Sequence, residues 1–195
     1  MSPAHVLEPT YRQLKRAIMD GCWPGGTRLE ALRLADELGV SMTPVRDSLN
    51  QLVGEGLVDL TPGEGFRVPV ITEQVVRDLL RLNEKILETA SECEWTHVAE
   101  LTTSSGEYAD RVSAVFVRLA ERSRNRVLTD VVARIGERLH PIRRREPDIL
   151  ADAWQILGEL EEAFAASNHH LGHVLRRYHR DCQQNVSRLV GIIAP

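Results

Sequence analysis

The sequence is short of several things, and each shortage excludes a class of protein. Aromatic residues make up only 5% of it, which argues against an all-β sandwich. Its three cysteines, Cys22, Cys93 and Cys182, show no CxxC spacing. Neither a disulfide framework nor a zinc ribbon is expected, and a reducing cytoplasm is the expected compartment. No apolar run approaches the ~18 residues of a membrane span, and the opening MSPAHVLEPTYRQ holds no apolar signal core. GxSxG, HExxH and P-loop signatures are missing, so the expectation is a chain that is not an enzyme. A basic excess is missing too: the net charge is −4. Nucleic-acid binders are often basic overall, so DNA binding here would rest on local patches rather than on the total.

What is present is a helix-rich composition. The 195 residues are 43% hydrophobic and 27% charged, enough for one large domain or two small ones with a real core. In the first stretch, Leu7, Tyr11, Leu14 and Ile18 recur on one face, which predicts a helix over residues 7–20 ending at Gly21. WPGG (23–26) reads as a turn. A second helix is predicted over 30–38, with Ala31, Leu34, Ala35 and Leu38 inward and Gly39 just past its end. A third is predicted over 44–55, with Thr43 as cap, Pro44 at the first helical position and Val45, Leu49 and Leu52 inward. Then the period changes: LVDL (57–60) and GFRV (65–68) read as two strands joined by TPGEG.

From Thr72 the chain reads as helix with short breaks. One long helix is expected from Thr72 to Leu101, a loop at TTSSG (102–106), then helices near 107–122, 125–140, 148–166 and 169–193. Short connections imply an antiparallel bundle. The expected fold is therefore mainly α: residues 1–70 form a winged helix-turn-helix and residues 71–195 an antiparallel all-helical bundle.

In a helix-turn-helix the second helix of the pair enters the DNA major groove. The inward stripe of helix three leaves Arg46, Asp47 and Asn50 on its opposite face. Its N-terminal amides and the Thr43 hydroxyl can hold a phosphate. Arg46 can donate twice to a guanine edge, Asn50 can read adenine or bind the backbone, and Arg67 on the wing can meet a phosphate or the minor groove. Gly63 and Gly65 let the wing turn sharply. The alternative is an ordinary solvated helix face.

The stretch from Tyr11 to Val68 resembles the DNA-binding domain of the GntR family of bacterial transcription regulators. The residues that carry the resemblance are Tyr11, Ile18, Gly21, Pro24-Gly25, Leu29, Leu34-Ala35, Leu38-Gly39-Val40-Ser41, Thr43-Pro44-Val45-Arg46, Leu49, Leu52, Glu55-Gly56-Leu57 and Gly65. The helical remainder resembles, in layout, the short VanR-like form of the FadR-like branch, whose second domain (FCD) binds effectors. The resemblance implies a homodimeric repressor on a near-palindromic operator, read by Arg33, Ser41, Met42, Thr43, Pro44, Arg46, Asn50, Gly65 and Arg67. The family usually has Arg at the place of Met42 and often at the place of Leu32. The apolar residues here imply an altered, more A·T-tolerant site, with Arg33 as a partial substitute.

Many bundles of that branch hold a divalent metal with one Asp and three His. Carried over, those positions fall near Ser113, Val117, Leu157 and His179, and only His179 matches, so no metal or other cofactor is expected. His169 and His173 stand i, i+4, which suits a metal, but their place at an exposed helix start favours a hydrated surface. A small-molecule effector, a carboxylate among the candidates, would meet Arg81, Arg118, Arg134, Tyr178 or His179. RRR (143–145) reads as a solvated connection, and Trp95 and Trp154 as core or interface residues. Two alternatives remain: a helical-bundle metalloenzyme, and a regulator that has lost DNA binding and acts through protein contacts.

Overall fold

A computed structural model describes residues 4–93, 106–166 and 170–193. The chain forms two compact units, the first running through Ile71 and the second spanning Thr72–Ile192.

The first unit contains α1 (Ala4–Met19), β1 (Arg28–Leu29), α2 (Ala31–Leu38), α3 (Met42–Gly54), β2 (Asp59–Thr61) and β3 (Gly65–Arg67). α1 and α2 both pack on α3. Leu14, Ile18, Leu34, Ala35, Val45, Leu49, Leu52, Leu57 and Val58 fill the space between them, each large aliphatic side chain contributing about 1.5–3 kcal/mol. Tyr11 and Lys15 of α1 tie down the end of α3: both reach the Glu55 carboxylate, at 2.7 and 2.9 Å. Partial burial pushes that carboxyl up, but the hydrogen bonds from Lys15 and Tyr11 hold it below its ordinary value. Gly39 turns the chain between α2 and α3 in the left-handed region, at φ 66°, where a Cβ would be strained.

Two expectations are corrected here. α3 starts at Met42 with Ser41 in the extended cap position, and no side chain caps it. Thr43 and Pro44 therefore lie inside the first turn, where a proline nitrogen costs no hydrogen bond. The wing has three strands in the order β1-β3-β2. The strand β1 was missed because two residues are too few to show alternation.

The second unit is helical throughout its described residues: α4 (Glu73–Ser91), α5 (Tyr108–Glu121), α6 (Arg126–Arg143), α7 (Glu146–Ile149), α8 (Ala153–Ala165), α9 (His170–Gln184) and α10 (Val186–Ile193). The Thr72 hydroxyl caps α4 through the Val75 N–H at 3.3 Å. The Asn125 side-chain oxygen Oδ1 caps α6, accepting from the Val127 and Leu128 N–H groups. α5 packs on α6, α4 on α9 and α8 on α9, around Val76, Leu80, Leu87, Val112, Phe116, Leu139, Leu157 and Leu175.

The helix expected to end at 140 continues through Pro141 to Arg143. Leu150, in extended backbone, divides the helix expected over 148–166 into α7 and α8. The final helix breaks at Asn185, whose N–H bonds back to Cys182 rather than one residue earlier. The far end of the long helix expected from Thr72, with most of the TTSSG loop, Trp95 and His169, lies outside the described residues.

Candidate DNA-reading surface and a buried polar cluster

The periodicity of α3 sorts its residues cleanly. Val45, Leu49 and Leu52 are fully buried, and Ser48 is turned back to the Pro44 carbonyl at 2.7 Å. On the outer face Thr43, Arg46, Asp47 and Asn50 are exposed, and Ser41 and Met42 stand exposed at the N-terminus. Arg46 makes no ion pair among the described residues, so its guanidinium is available to an outside partner. The first-turn amides of α3 point the same way as its positive dipole end, which favours a phosphate.

Arg33 on α2 is exposed and paired with Glu37 at 2.8 Å. That surface pair is worth little and yields easily to a phosphate. Leu32 beside it is 62% exposed.

On the wing, Gly63 and Gly65 both adopt left-handed φ, 82° and 85°, which closes the tight turn before β3. Arg67 donates to the Gly26 carbonyl at 3.1 Å and stands 3.5 Å from Glu64, so it braces the wing root as much as it faces outward. The register adds a residue the sequence reading missed. Arg28 on β1 lies opposite Arg67 on β3, placing two guanidinium groups on one face of the sheet. Like charges directly opposite are destabilising unless an anion lies near. The TRLE alternation around Arg28 was the available signal.

In the bundle, the arginines offered to an effector point elsewhere. Arg81 and Arg118 are on the surface, near Asp78 and Glu121, and Arg134 is also exposed. On helices α4, α5 and α6 these positions fall on the outer faces, opposite the aliphatic stripes. Tyr178 and His179 of α9 are buried. His179 Nδ1 donates to the Leu175 carbonyl at 2.8 Å, and Nε2 accepts from the Asn83 amide at 3.0 Å. Desolvation lowers its pKa to about 4, so the ring is neutral. Phe116 stacks on it at 5.6 Å.

Of the residues carried over as metal positions, Ser113 bonds to Arg143 at 2.9 Å and Leu157 is buried among aliphatics. No group of three or more His, Cys, Asp or Glu side chains converges among the described residues. His173 is exposed, and Trp154, 52% exposed, packs its ring edge-on to Tyr108.

RRR (143–145) is not simply a solvated connection. Arg143 is 1% exposed and stands beside Phe116, with the guanidinium 5.1 Å from the ring centre. The fully buried Glu146 accepts from the Tyr178 hydroxyl at 2.9 and 3.0 Å and from the Cys182 thiol at 3.6 Å. Burial pushes its carboxyl up, against the pull of the Arg143 charge.

Known proteins extend this reading. Residues 8–68 match the family of bacterial regulatory proteins named gntR. Over 89% of this chain and 88% of the relative, the sequence is 23% identical to an uncharacterized HTH-type transcriptional regulator, YdhC, of Bacillus subtilis (strain 168). The fold is shared with a GntR transcriptional regulator from Rhodococcus sp. RHA1, at TM-score 0.73 and 18% identity over 93% of this chain and 97% of that one. It is shared also with E. coli McbR/YncC, at TM-score 0.67 and 20% identity over 96% and 98%. No described helix is long and apolar enough to cross a membrane. The winged helix-turn-helix of residues 8–68 is thus matched to the gntR family of bacterial regulatory proteins, and over most of its length the chain is similar to an HTH-type transcriptional regulator.

Proposed function

We propose that the protein is a cytoplasmic repressor that binds a near-palindromic operator as a homodimer and is controlled by a small-molecule effector in its helical bundle, as in the FadR-like branch. The observation that carries the DNA-reading part is the outer face of α3, where Arg46 and Asn50 stand exposed beside a helix N-terminus. In this reading α3 lies in the major groove. Arg46 donates to a guanine edge, Asn50 contacts a base or the backbone, and Ser41, Thr43, Pro44 and the first-turn amides seat a phosphate. Met42 packs on a thymine methyl, Arg33 reaches the backbone, and the wing, with Gly65, Arg67 and Arg28, follows the neighbouring phosphates.

Two such heads on a two-fold axis read two half-sites. In the bundle the effector site centres on Tyr178 and His179, the buried members of the candidate set. The bundle needs no metal in this reading, because both nitrogens of His179 are already engaged. Selection of bound duplexes from a random pool tests the proposal. Enrichment of a two-fold symmetric motif with strong salt dependence supports it. Salt-sensitive binding without any enriched motif overturns it.

A further inference from the structure

Asp47 puts a negative charge where a DNA-reading helix has least use for one. Val45, Leu49 and Leu52 are fully buried along the inner stripe of α3. At about 3.6 residues per turn, the side chain that falls nearest to the line directly opposite is Asp47. Thr43 and Asn50 flank it, and Arg46 stands about a quarter-turn to one side. All four are exposed.

None of the ordinary reasons for a surface carboxylate applies to Asp47. It lies past the first turn of α3, so the positive end of the helix does not hold it. The residues three and four away are Thr43, Pro44, Asn50 and Gln51, and none is a cation, so no pair along the helix is open to it. Its side chain has no partner among the described residues. Glu8, Asp20, Glu37 and Glu64, by contrast, each stand beside an arginine three or four residues away.

The charge of the whole unit makes this placement costly. Residues 1–71 hold seven Lys and Arg and nine Asp and Glu. Arg12, Lys15, Arg16, Arg33 and Arg67 already stand beside carboxylates. General attraction to phosphate is therefore weak, and an anion in the middle of the outer face weakens it further. Such a carboxylate lowers affinity for every duplex unless one base gives it a hydrogen bond.

Base chemistry selects the base. An ionised carboxylate only accepts. In the major groove guanine shows the acceptors N7 and O6, and thymine shows O4, all of which repel it. Adenine sets an acceptor, N7, beside its N6 donor. Cytosine shows its N4 donor with no acceptor on the same base. Along the helix axis Asp47 stands about 6 Å from Thr43 and about 4.5 Å from Asn50, one to two base steps of about 3.4 Å. Asp47 therefore meets one base pair while its neighbours meet the backbone or the next pair.

We infer that Asp47 is a specificity-determining residue, whose carboxylate accepts a hydrogen bond from the N4 amine of one cytosine in each half-site and turns other bases away at that place. The inference rests on the reading of α3 as the helix in the major groove, and it names the base and the residue that selects it. Arg46 supplies attraction, and Asp47 supplies discrimination.

Selection from a random duplex pool by the full chain, in parallel with its Asp47→Asn and Asp47→Ala variants, tests it, followed by titration of single-base variants of the enriched duplex. The wild-type motif holds a C·G pair in each half-site at which replacing the cytosine weakens binding about tenfold, within the usual cost of one mismatched pair. Asp47→Asn keeps the size of the side chain and sets a donor beside an acceptor, which matches adenine N6 and N7, so the preference there moves from cytosine to adenine. Asp47→Ala flattens that position and binds unrelated duplex more tightly than wild type, because a charge that repels phosphate is gone. The side chain is exposed, so both variants melt near the wild-type temperature.

An unchanged base preference in both variants overturns the inference. So does a uniform gain of affinity on all duplexes by Asp47→Ala, which leaves only repulsion of phosphate. A wild type that enriches no motif brings down the wider reading of α3 and this inference with it. A motif that Arg46→Ala alters and both Asp47 variants leave intact removes this inference alone.

Discussion

The two units of this chain handle polar groups in opposite ways. In the first, the interior is aliphatic and the charges that matter, Arg28, Arg33 and Arg46, stand outside. In the second, the interior holds Asn83, His140, Arg143, Glu146 and His179 among its aliphatic side chains. A dry core with charges outside is a scaffold for display: it fixes the angle of α3 and leaves its outer face to the partner. A core with charges inside depends on each of those groups finding a partner, because an unpaired buried charge costs stability. The comparison teaches where substitutions act differently: on the partner-facing surface in the first unit, and on buried polar contacts in the second.

The strongest way to break the comparison is to open the dry core. Leu49 is fully buried on α3, and Leu49→Ala removes about 2–5 kcal/mol of stability, the transfer term plus the cavity. Because the outer face of the helix depends on that packing, duplex affinity falls with it although Leu49 touches no DNA. Chemical denaturation followed by gel-shift titration reads both effects. A stable variant that still loses DNA binding would place Leu49 at the interface rather than under it.

In the wet core the sharpest probe is pH. Desolvation holds the folded-state pKa of His179 at about 4, below its ordinary 6.5. The Arg143 charge pushes it the same way, while the Leu175 carbonyl and Glu88 pull against them. A depressed histidine pKa means that the unfolded chain takes the proton first as the pH falls. Its contribution to stability is intact above pH 6.5 and is lost as the pH falls from there towards 4. Glu146 acts in the opposite direction, since a raised carboxyl pKa favours the fold towards acid. The two are separated by substitution. Between pH 7 and pH 5, His179→Gln loses about 2 kcal/mol less stability than wild type, as read from urea midpoints. Parallel slopes for the two proteins would remove His179 from the acid response.

On the display face, Arg46→Ala costs about 1–3 kcal/mol of operator affinity and relaxes the preferred base at one position per half-site. It leaves folding intact, because the side chain is exposed and makes no ion pair among the described residues. Competition against single-base operator variants is the measurement. A uniform loss across all variants would make Arg46 a phosphate contact instead.

The same contrast explains what the sequence disclosed. The aliphatic stripe of α3 repeats at helical spacing, and Gly39 marks the turn before it, so the helix-turn-helix was legible from local pattern. The starting residue of α3 was not, because Ser41 and Thr43 are both good caps and Pro44 is tolerated in either frame. Inside the bundle local pattern fails. Three consecutive arginines read as solvent-facing, and Arg143 is buried only because α6 runs on through Pro141 and Gly136 clears a space. Its neighbours Ser113 and Phe116 come from α5, so that burial depends on packing between separate segments. Arg81, Arg118 and Arg134, expected to face an effector, stand exposed on the outer faces of their helices.

The smallest expected effect is at Met42. It is the first residue of α3 and is 40% exposed, on the same end as the amides that would seat a phosphate. A methionine there gives no hydrogen bond, and its thioether can pack on a thymine methyl. Met42→Arg puts a fork of donors at that place, able to bond guanine O6 and N7 together, worth on the order of 1–3 kcal/mol when geometry allows. An exposed, flexible first-turn position puts the gain at the low end, about 1 kcal/mol. The variant should prefer duplexes with one more G·C pair per half-site, and its salt dependence should steepen by about one counterion per subunit. Matched duplexes differing at that base pair, titrated at two salt concentrations, separate the two contributions. A steeper salt slope without base preference makes position 42 a phosphate neighbour. No change in either makes Met42 a residue that shapes the turn and reads nothing.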